Sequence, residues 1–240
     1  EPLLNKYTPM QEGPVRAEIL RIAHEQGIPT NDVYVVDASR QTKRISANVS
    51  GLGPTIRIAL NDNLLNRSNE AGIKAVMGHE MGHYKLYHIQ KLLAYLTLMA
   101  LAGFLFIYWA APKLLARHGA RWGVREVADP GSAPLFMALL ALIGIPGGIL
   151  FNSIIRIHES EADAFGLDAA REPDGFAMTA MQLSEYRKIE PASWEEVLFY
   201  DHPSGRTRVR MAMEWKARHL DELPPEQRGI IVMTPNKKAP

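Results

Sequence analysis

Two stretches of the chain are apolar without any alternation. Residues 92–112 read LLAYLTLMALAGFLFIYWAAP and residues 133–155 read APLFMALLALIGIPGGILFNSII. They hold 21 and 23 residues and not one charge. About 20 apolar residues carry a helix across a hydrocarbon core. Tyr108 and Trp109 sit near the end of the first run, where an interfacial belt is expected. We read the two runs as membrane-spanning helices rather than as a hairpin buried in a soluble core. Pro146-Gly147-Gly148 is expected to kink or break the second. Residues 113–132, with Lys113, Arg117, Arg121 and Arg125, read as a loop on the membrane face opposite the rest of the chain. Lys85, Lys91 and Arg156 flank the other ends, so basic residues give no orientation.

The remaining pattern is that of a mixed, mostly helical domain. Residues 1–14 are punctuated by Pro2, Pro9, Gly13 and Pro14 and read as loop. Ile19, Ile22 and Ala23 recur at helical spacing within residues 15–26, and Gly27 ends the pattern. Residues 33–36, 45–49 and 55–60 are β-branched or alternating and predict three strands, the last two joined by the turn Ser50-Gly51-Leu52-Gly53-Pro54. A short helix is expected over 61–67 after an Asx turn. Ser68 is the expected N-cap of a longer helix with the apolar stripe Ile73, Val76, Met77, Met81 and Tyr84. Beyond the second apolar run a helix continues through 158–168 until Pro173 and Gly175 break it. Helices are expected over 176–189 and 206–220, with a turn at Asp201-His202-Pro203 between them. The expected division is 1–91 and 156–222 as two parts of one domain, 92–155 as a helical hairpin inserted between them, and 223–240 as a tail.

Composition narrows the chemistry. Net charge is +1, which implies no nucleic-acid partner. There is no cysteine, so any metal must be held by His, Asp or Glu. The chain starts at Glu1 with no signal-peptide pattern, and reads as a fragment or a processed chain.

His79-Glu80-Met81-Gly82-His83 lies within the helix that follows Ser68. Histidines four apart project from one helix face, so both imidazoles can reach one ion. Glu80 is close enough to act as general base on a water beside them. This is the H-E-x-x-H arrangement of zinc peptidases. A third histidine of metzincin type is excluded, because Ile89 stands at that position and Leu86 where the glycine belongs. The other source of a ligand is RIHESEADAFG, residues 156–166. There Glu159 and Asp163 share a face and Glu161 points elsewhere. One carboxylate of the pair can bind the ion and the other can orient a ligand imidazole.

On these residues the chain resembles the integral-membrane zinc endopeptidases of the CAAX prenyl protease type 1 family, and more distantly the bacterial heat-shock membrane metalloproteases. The likeness runs through PLLNKYTPMQEGPVRAEI, SNEAGIKAVMGHEMGHYKLYH, NSIIRIHESEADAFG and DHPSGRTR. Eukaryotic members of that family carry several transmembrane helices ahead of this region. The resemblance implies a mainly α fold with a small N-terminal β-sheet: a gluzincin-like core with a two-helix transmembrane insertion. It implies one zinc ion on His79, His83 and Glu159, Glu80 as base, and Asp163 behind a ligand imidazole. It further implies that His202, in a His-Pro turn, donates to the oxyanion, and that Arg208 holds the turn or the substrate. The strand at 46–49, with Asn48, is the expected partner of the substrate backbone. The partners implied are a peptide or protein substrate, CAAX-type prenylated or otherwise membrane-associated, and the lipid bilayer. The location implied is the bacterial inner membrane or the endoplasmic reticulum membrane, with several crossings. The alternative is a weakly active or inactive metal-binding membrane protein of quality-control type. A transporter is disfavoured because the apolar runs hold no ionisable residue.

Overall fold

The computed structural model describes residues 5–51, 53–184 and 188–229. A four-stranded sheet comes first, in the order β1-β2-β4-β3. Its strands are β1 (Tyr7–Pro9), β2 (Val33–Val36), β3 (Ala47–Ser50) and β4 (Arg57–Asn61). β2 and β4 are parallel, which the crossover between them permits, while β1 and β3 pair antiparallel on the outside. Helix α1 (Pro14–Glu25) lies between β1 and β2 in the chain, with Pro14 in its first turn where the missing N–H costs nothing. β1 falls where a loop was expected: Tyr7-Thr8-Pro9 is too short for a period and takes its register from β2.

Asn61 ends β4 and caps α2 (Asp62–Arg67), accepting from Leu64 N at 2.9 Å. The same side chain accepts from Ser46 N and donates to Arg44 O, which fixes the entry into β3. The next helix, α3 (Glu70–Lys85), is capped by Asn69, one residue later than Ser68, through a 2.9 Å bond from Gly72 N. α4 (His88–Trp122) and α5 (Ala133–Ala170) follow, then α6 (Pro173–Leu183), α7 (Ser193–Phe199) and α8 (Gly205–Arg218). α6 ends sooner than the expected 189, and residues 185–187 lie outside those described. α7 was not expected: Trp194, Val197 and Leu198 stand at helical spacing, but its seven residues cover only about two turns, too few to show a repeating period.

The chain divides into two compact units. One takes the chain up to Leu86, Glu159–Pro191, and the part from Pro203 on; the other takes Tyr87–His158 and Ala192–His202. In the first unit α3 is the central element. Met77 and Met81 are fully buried with Ile19 and Ile22 of α1, Ile58 and Leu60 of β4, and Leu64. Ala75 belongs to a second cluster with Leu167, Phe176, Ala212, Trp215 and Leu223. Each such large side chain stabilises the fold by about 1.5–3 kcal/mol on burial. An apolar stripe plus a small-residue flank therefore puts α3 inside the unit. Leu223 is 1% exposed, so the chain remains packed at the start of the expected tail, of which residues 230–240 lie outside those described.

In the second unit α4 and α5 form a hairpin packed through Ile107, Ala110, Ala111 and Leu139. Both helices are long and apolar enough to cross a membrane. The most apolar 18-residue window of α4 has no buried share and that of α5 has 6%, unlike a hairpin in a soluble core. Two expectations give way here. The helix of the first run continues to Trp122 where loop was expected, because residues 113–122 are mostly good helix formers (Lys, Leu, Ala, Arg) and Leu114 and Leu115 pack inward. Lys113 lies over the Trp109 ring at 4.0 Å, and Gly123, in the left-handed region at φ 69°, ends the helix. The second helix runs unbroken through Pro146. Proline removes one hydrogen bond, and in an apolar medium the neighbouring backbone groups have no water to turn to, so the rest of the helix persists.

Candidate metal centre

His79 and His83 lie one turn apart on α3, and Glu159 comes from α5. Their ligand-type atoms converge. His79 Nε2 and His83 Nε2 are 3.0 Å apart, His79 Nε2 is 3.4 Å from Glu159 Oε2, and His83 Nε2 is 3.4 Å from Glu159 Oε1. With metal–ligand bonds near 2.0–2.1 Å, the edge of a zinc tetrahedron is roughly 3.3 Å. The imidazole pair is near that edge, each imidazole meets a different oxygen of Glu159, and one ligand atom from each of the three lies within 4.8 Å of the others. The donor set of two imidazoles and one carboxylate is also that of catalytic zinc sites with one open position. Among the described residues this is the one cluster of three such groups able to hold a metal.

Behind the ligands runs a chain of charge. Asp163 is fully buried, and its Oδ1 lies 2.7 Å from His79 Nδ1. Arg208 of α8 donates from Nε to Asp163 Oδ2 at 2.8 Å and from Nη2 to Oδ1 at 2.6 Å. Burial alone would favour a neutral Asp163. The Arg208 guanidinium, and then His79, outweigh it and hold the carboxyl below its usual range. An ionised Asp163 accepts from His79 Nδ1–H, so when the ring is neutral its lone pair is on Nε2, the atom facing Glu159 and His83. Glu80, next to His79, has its pKa raised, chiefly by burial, against the pull of His79 and His83. A carboxylate so placed is a stronger base than one in water.

Close helix approach delivers Glu159. A Cβ on Gly82 would meet Ala162 Cα at 3.0 Å, one on Gly78 would meet Gly166 O at 2.8 Å, and one on Gly166 would meet His79 N at 2.7 Å. Gly78 and Gly82 are four apart, as are Ala162 and Gly166, so each helix turns a bare stripe to the other. These residues are needed for the site yet carry no chemistry, and reading the sequence for chemistry passes over them. The signal that finds them is the small-x-x-x-small spacing of Gly78 and Gly82, which overlaps HEMGH, and of Ala162 and Gly166.

The other expected site residues are placed as follows. Arg208, assigned from the sequence to the turn or the substrate, has its guanidinium on Asp163 and stacks over the Phe176 ring at 5.1 Å. Glu161 is exposed. Asn48 lies on β3, which among the described residues pairs with β4 alone and so presents an edge. β3 also runs alongside α3. Asn48 Oδ1 is buried without a hydrogen-bond partner. His202 belongs to the second unit, with Nδ1 3.0 Å from Asp201 Oδ1.

Comparison with known proteins returns peptidases and metalloproteases. The profile of peptidase family M48 matches residues 9–216. An uncharacterised metalloprotease of Bacillus subtilis, YhfN, is 28% identical over 214 residues, covering 88% of this chain and 50% of the relative. CAAX prenyl protease 1 of Saccharomyces cerevisiae is 34% identical over 228 residues, covering 87% of this chain and 49% of the relative. The crystal structure of S. mikatae Ste24p superposes with a TM-score of 0.73 at 24% identity, over 88% of this chain and 52% of that one, and so shares the fold. The chain thus spans about half the length of these relatives. With the match extending over most of its residues, the chain belongs to peptidase family M48.

Proposed function

We propose that the chain is the catalytic part of a membrane-bound zinc endopeptidase. The observation that carries this is the convergence of His79 Nε2, His83 Nε2 and the Glu159 carboxylate within reach of one ion, with Glu80 next to His79 in the chain. His79, His83 and Glu159 would hold the zinc, which when bound acts as a Lewis acid on the scissile carbonyl and on water. Glu80 takes a proton from the attacking water and passes it to the leaving amine; burial raises its pKa toward that task. Asp163, held by Arg208, keeps His79 in the tautomer that presents Nε2. No Ser or Thr nucleophile is required, because water attacks directly. The open edge of β3 suits an extended peptide added as a further strand, and a donor from that peptide would satisfy Asn48 Oδ1. His202 is the proposed donor to the oxyanion.

α4 and α5 support a membrane location, and substrates there are membrane-associated proteins. The relatives named CAAX prenyl proteases favour a prenylated class among them. The test is metal content and turnover of the purified full chain, with an unfolded protein and a prenylated peptide as substrates. About one zinc per chain with cleavage is expected. Glu80→Gln should keep the zinc and lose turnover, since a base is removed but no ligand. Zinc without cleavage of either substrate by the wild type would favour an inactive metal-binding protein instead.

A further inference from the structure

α7 turns its side chains the wrong way for water. Trp194, Val197 and Phe199 are 61%, 49% and 69% exposed, whereas Glu195 and Glu196 are half covered. The Trp194 and Phe199 rings meet edge-on at 6.3 Å, so the exposed apolar groups form one patch. A helix in water buries such residues and exposes its carboxylates.

The level at which α7 sits is set by α5. Arg156 donates to Val197 O at 3.3 Å and to Tyr200 O, and is itself braced by Ser153 Oγ at 2.9 Å. Asn152 Nδ2 adds a bond to Leu198 O at 3.4 Å. These carbonyls belong to the last turn of a helix, where no intrahelical donor remains. Residues 133–155 of α5 carry no charge, and Arg156 is the first. At 1.5 Å per residue, that run is about 35 Å long against a hydrocarbon core of about 30 Å. Arg156 therefore marks the boundary of the core, and α7 is pinned to that boundary.

We propose that α7 is an interfacial anchor whose Trp194, Val197 and Phe199 enter the headgroup–acyl layer of the bilayer that α4 and α5 span. Tryptophan favours this layer, and short amphipathic helices lie in it with the apolar face about 5–10 Å deep. The bonds from Asn152 and Arg156 put this exposed patch at the end of the uncharged run of α5, which selects the bilayer over a protein partner. The consequence for the proposed enzyme is positional. Tyr200, the acceptor of Arg156, is two residues from His202, so the segment that carries His202 is held at the membrane surface.

The inference rests on α4 and α5 being spans, and the experiment separates the two readings. The chain lacks cysteine, so single spin labels go in cleanly at Val197→Cys, Leu142→Cys and Arg210→Cys, with the full chain in phosphatidylcholine vesicles. Leu142 is an exposed residue of α5, 62% accessible, and Arg210 is an exposed residue of α8. Collisions with oxygen report lipid and those with a nickel chelate report water. The Val197 label should favour oxygen, at a shallower depth than Leu142, and should not change as protein is diluted in lipid. A Val197 label as open to nickel as Arg210 would overturn the anchor, as would one shielded from both probes, which means a second copy or another segment covers the patch. A Leu142 label in water would overturn the spans, and the anchor with them.

Discussion

Gly166→Ala tests how the metal centre is assembled. The added Cβ would lie 2.7 Å from His79 N, 3.0 Å from His79 Cα and 3.1 Å from Gly78 C. All three are backbone atoms, so no rotamer change relieves them. Ordinary contact begins at 3.4 Å, so α5 and α3 must part by about 0.7 Å, the difference of the two distances. Metal–ligand distances tolerate about 0.2 Å. Glu159, two turns earlier on the same helix, then cannot reach the ion together with His79 and His83. Overpacking of this kind costs about 1–3 kcal/mol, while alanine returns up to about 1 kcal/mol of helix propensity. If the strain is relieved by releasing Glu159, zinc affinity falls by about 5–150-fold, the same 1–3 kcal/mol as a ratio. Chelator competition on the purified chain measures this, with thermal melting beside it. Gly144→Ala is the control: it lies on α5 with nothing within 4 Å of its Cβ, and should leave affinity unchanged. Wild-type zinc affinity in a folded Gly166→Ala variant would refute close helix approach as the device that delivers Glu159.

Arg208→Lys replaces a forked pair on Asp163 by a point charge, and should lower zinc affinity or activity about 10–100-fold through a looser His79; titration with a zinc dye reads it, and no change would make Arg208 a packing residue. His202→Ala should lower the rate by about 10²–10³ with zinc content and substrate affinity unchanged; loss of zinc would make it a ligand, and full turnover an ordinary turn residue. Burial favours neutral His79, but Asp163 and Glu159 outweigh it and lift its pKa from 6.5 to about 10 in the metal-free chain. Zinc takes only the neutral ring, so its uptake near neutral pH should release a proton and its affinity should rise with pH until about 10. Calorimetry in buffers of different ionisation enthalpy detects that proton, and its absence would overturn the assignment. In the stripped chain the same shift stabilises the fold below about 6.5 and is lost as pH climbs through about 10.

Local pattern made several features legible. Helical periodicity placed HEMGH on α3, because two histidines four apart and an apolar stripe need no other part of the chain to be seen. Glu159 and Asp163 share a face for the same reason. The uncharged runs of α4 and α5 are visible because a span is a property of consecutive residues. What tertiary structure decided is of another kind. His79 and Asp163 are 84 residues apart, and Asp163 and Arg208 are 45 apart. Which atom faces which across such distances depends on how closely α3, α5 and α8 pack, and the bare stripes of Gly78, Gly82, Ala162 and Gly166 set that closeness. β1 and α7 were hidden because neither is long enough to repeat a period: β1 exists by pairing with β2, and α7 is held at its start by Glu195 on Ala192 N and at its end by Asn152 and Arg156. The sequence by itself determined which side chains are the candidates for the chemistry, because residue type and spacing act locally. Only the packed helices decided that Arg208 serves Asp163, because a buried carboxylate in contact with a buried guanidinium is a fact about neighbours in space.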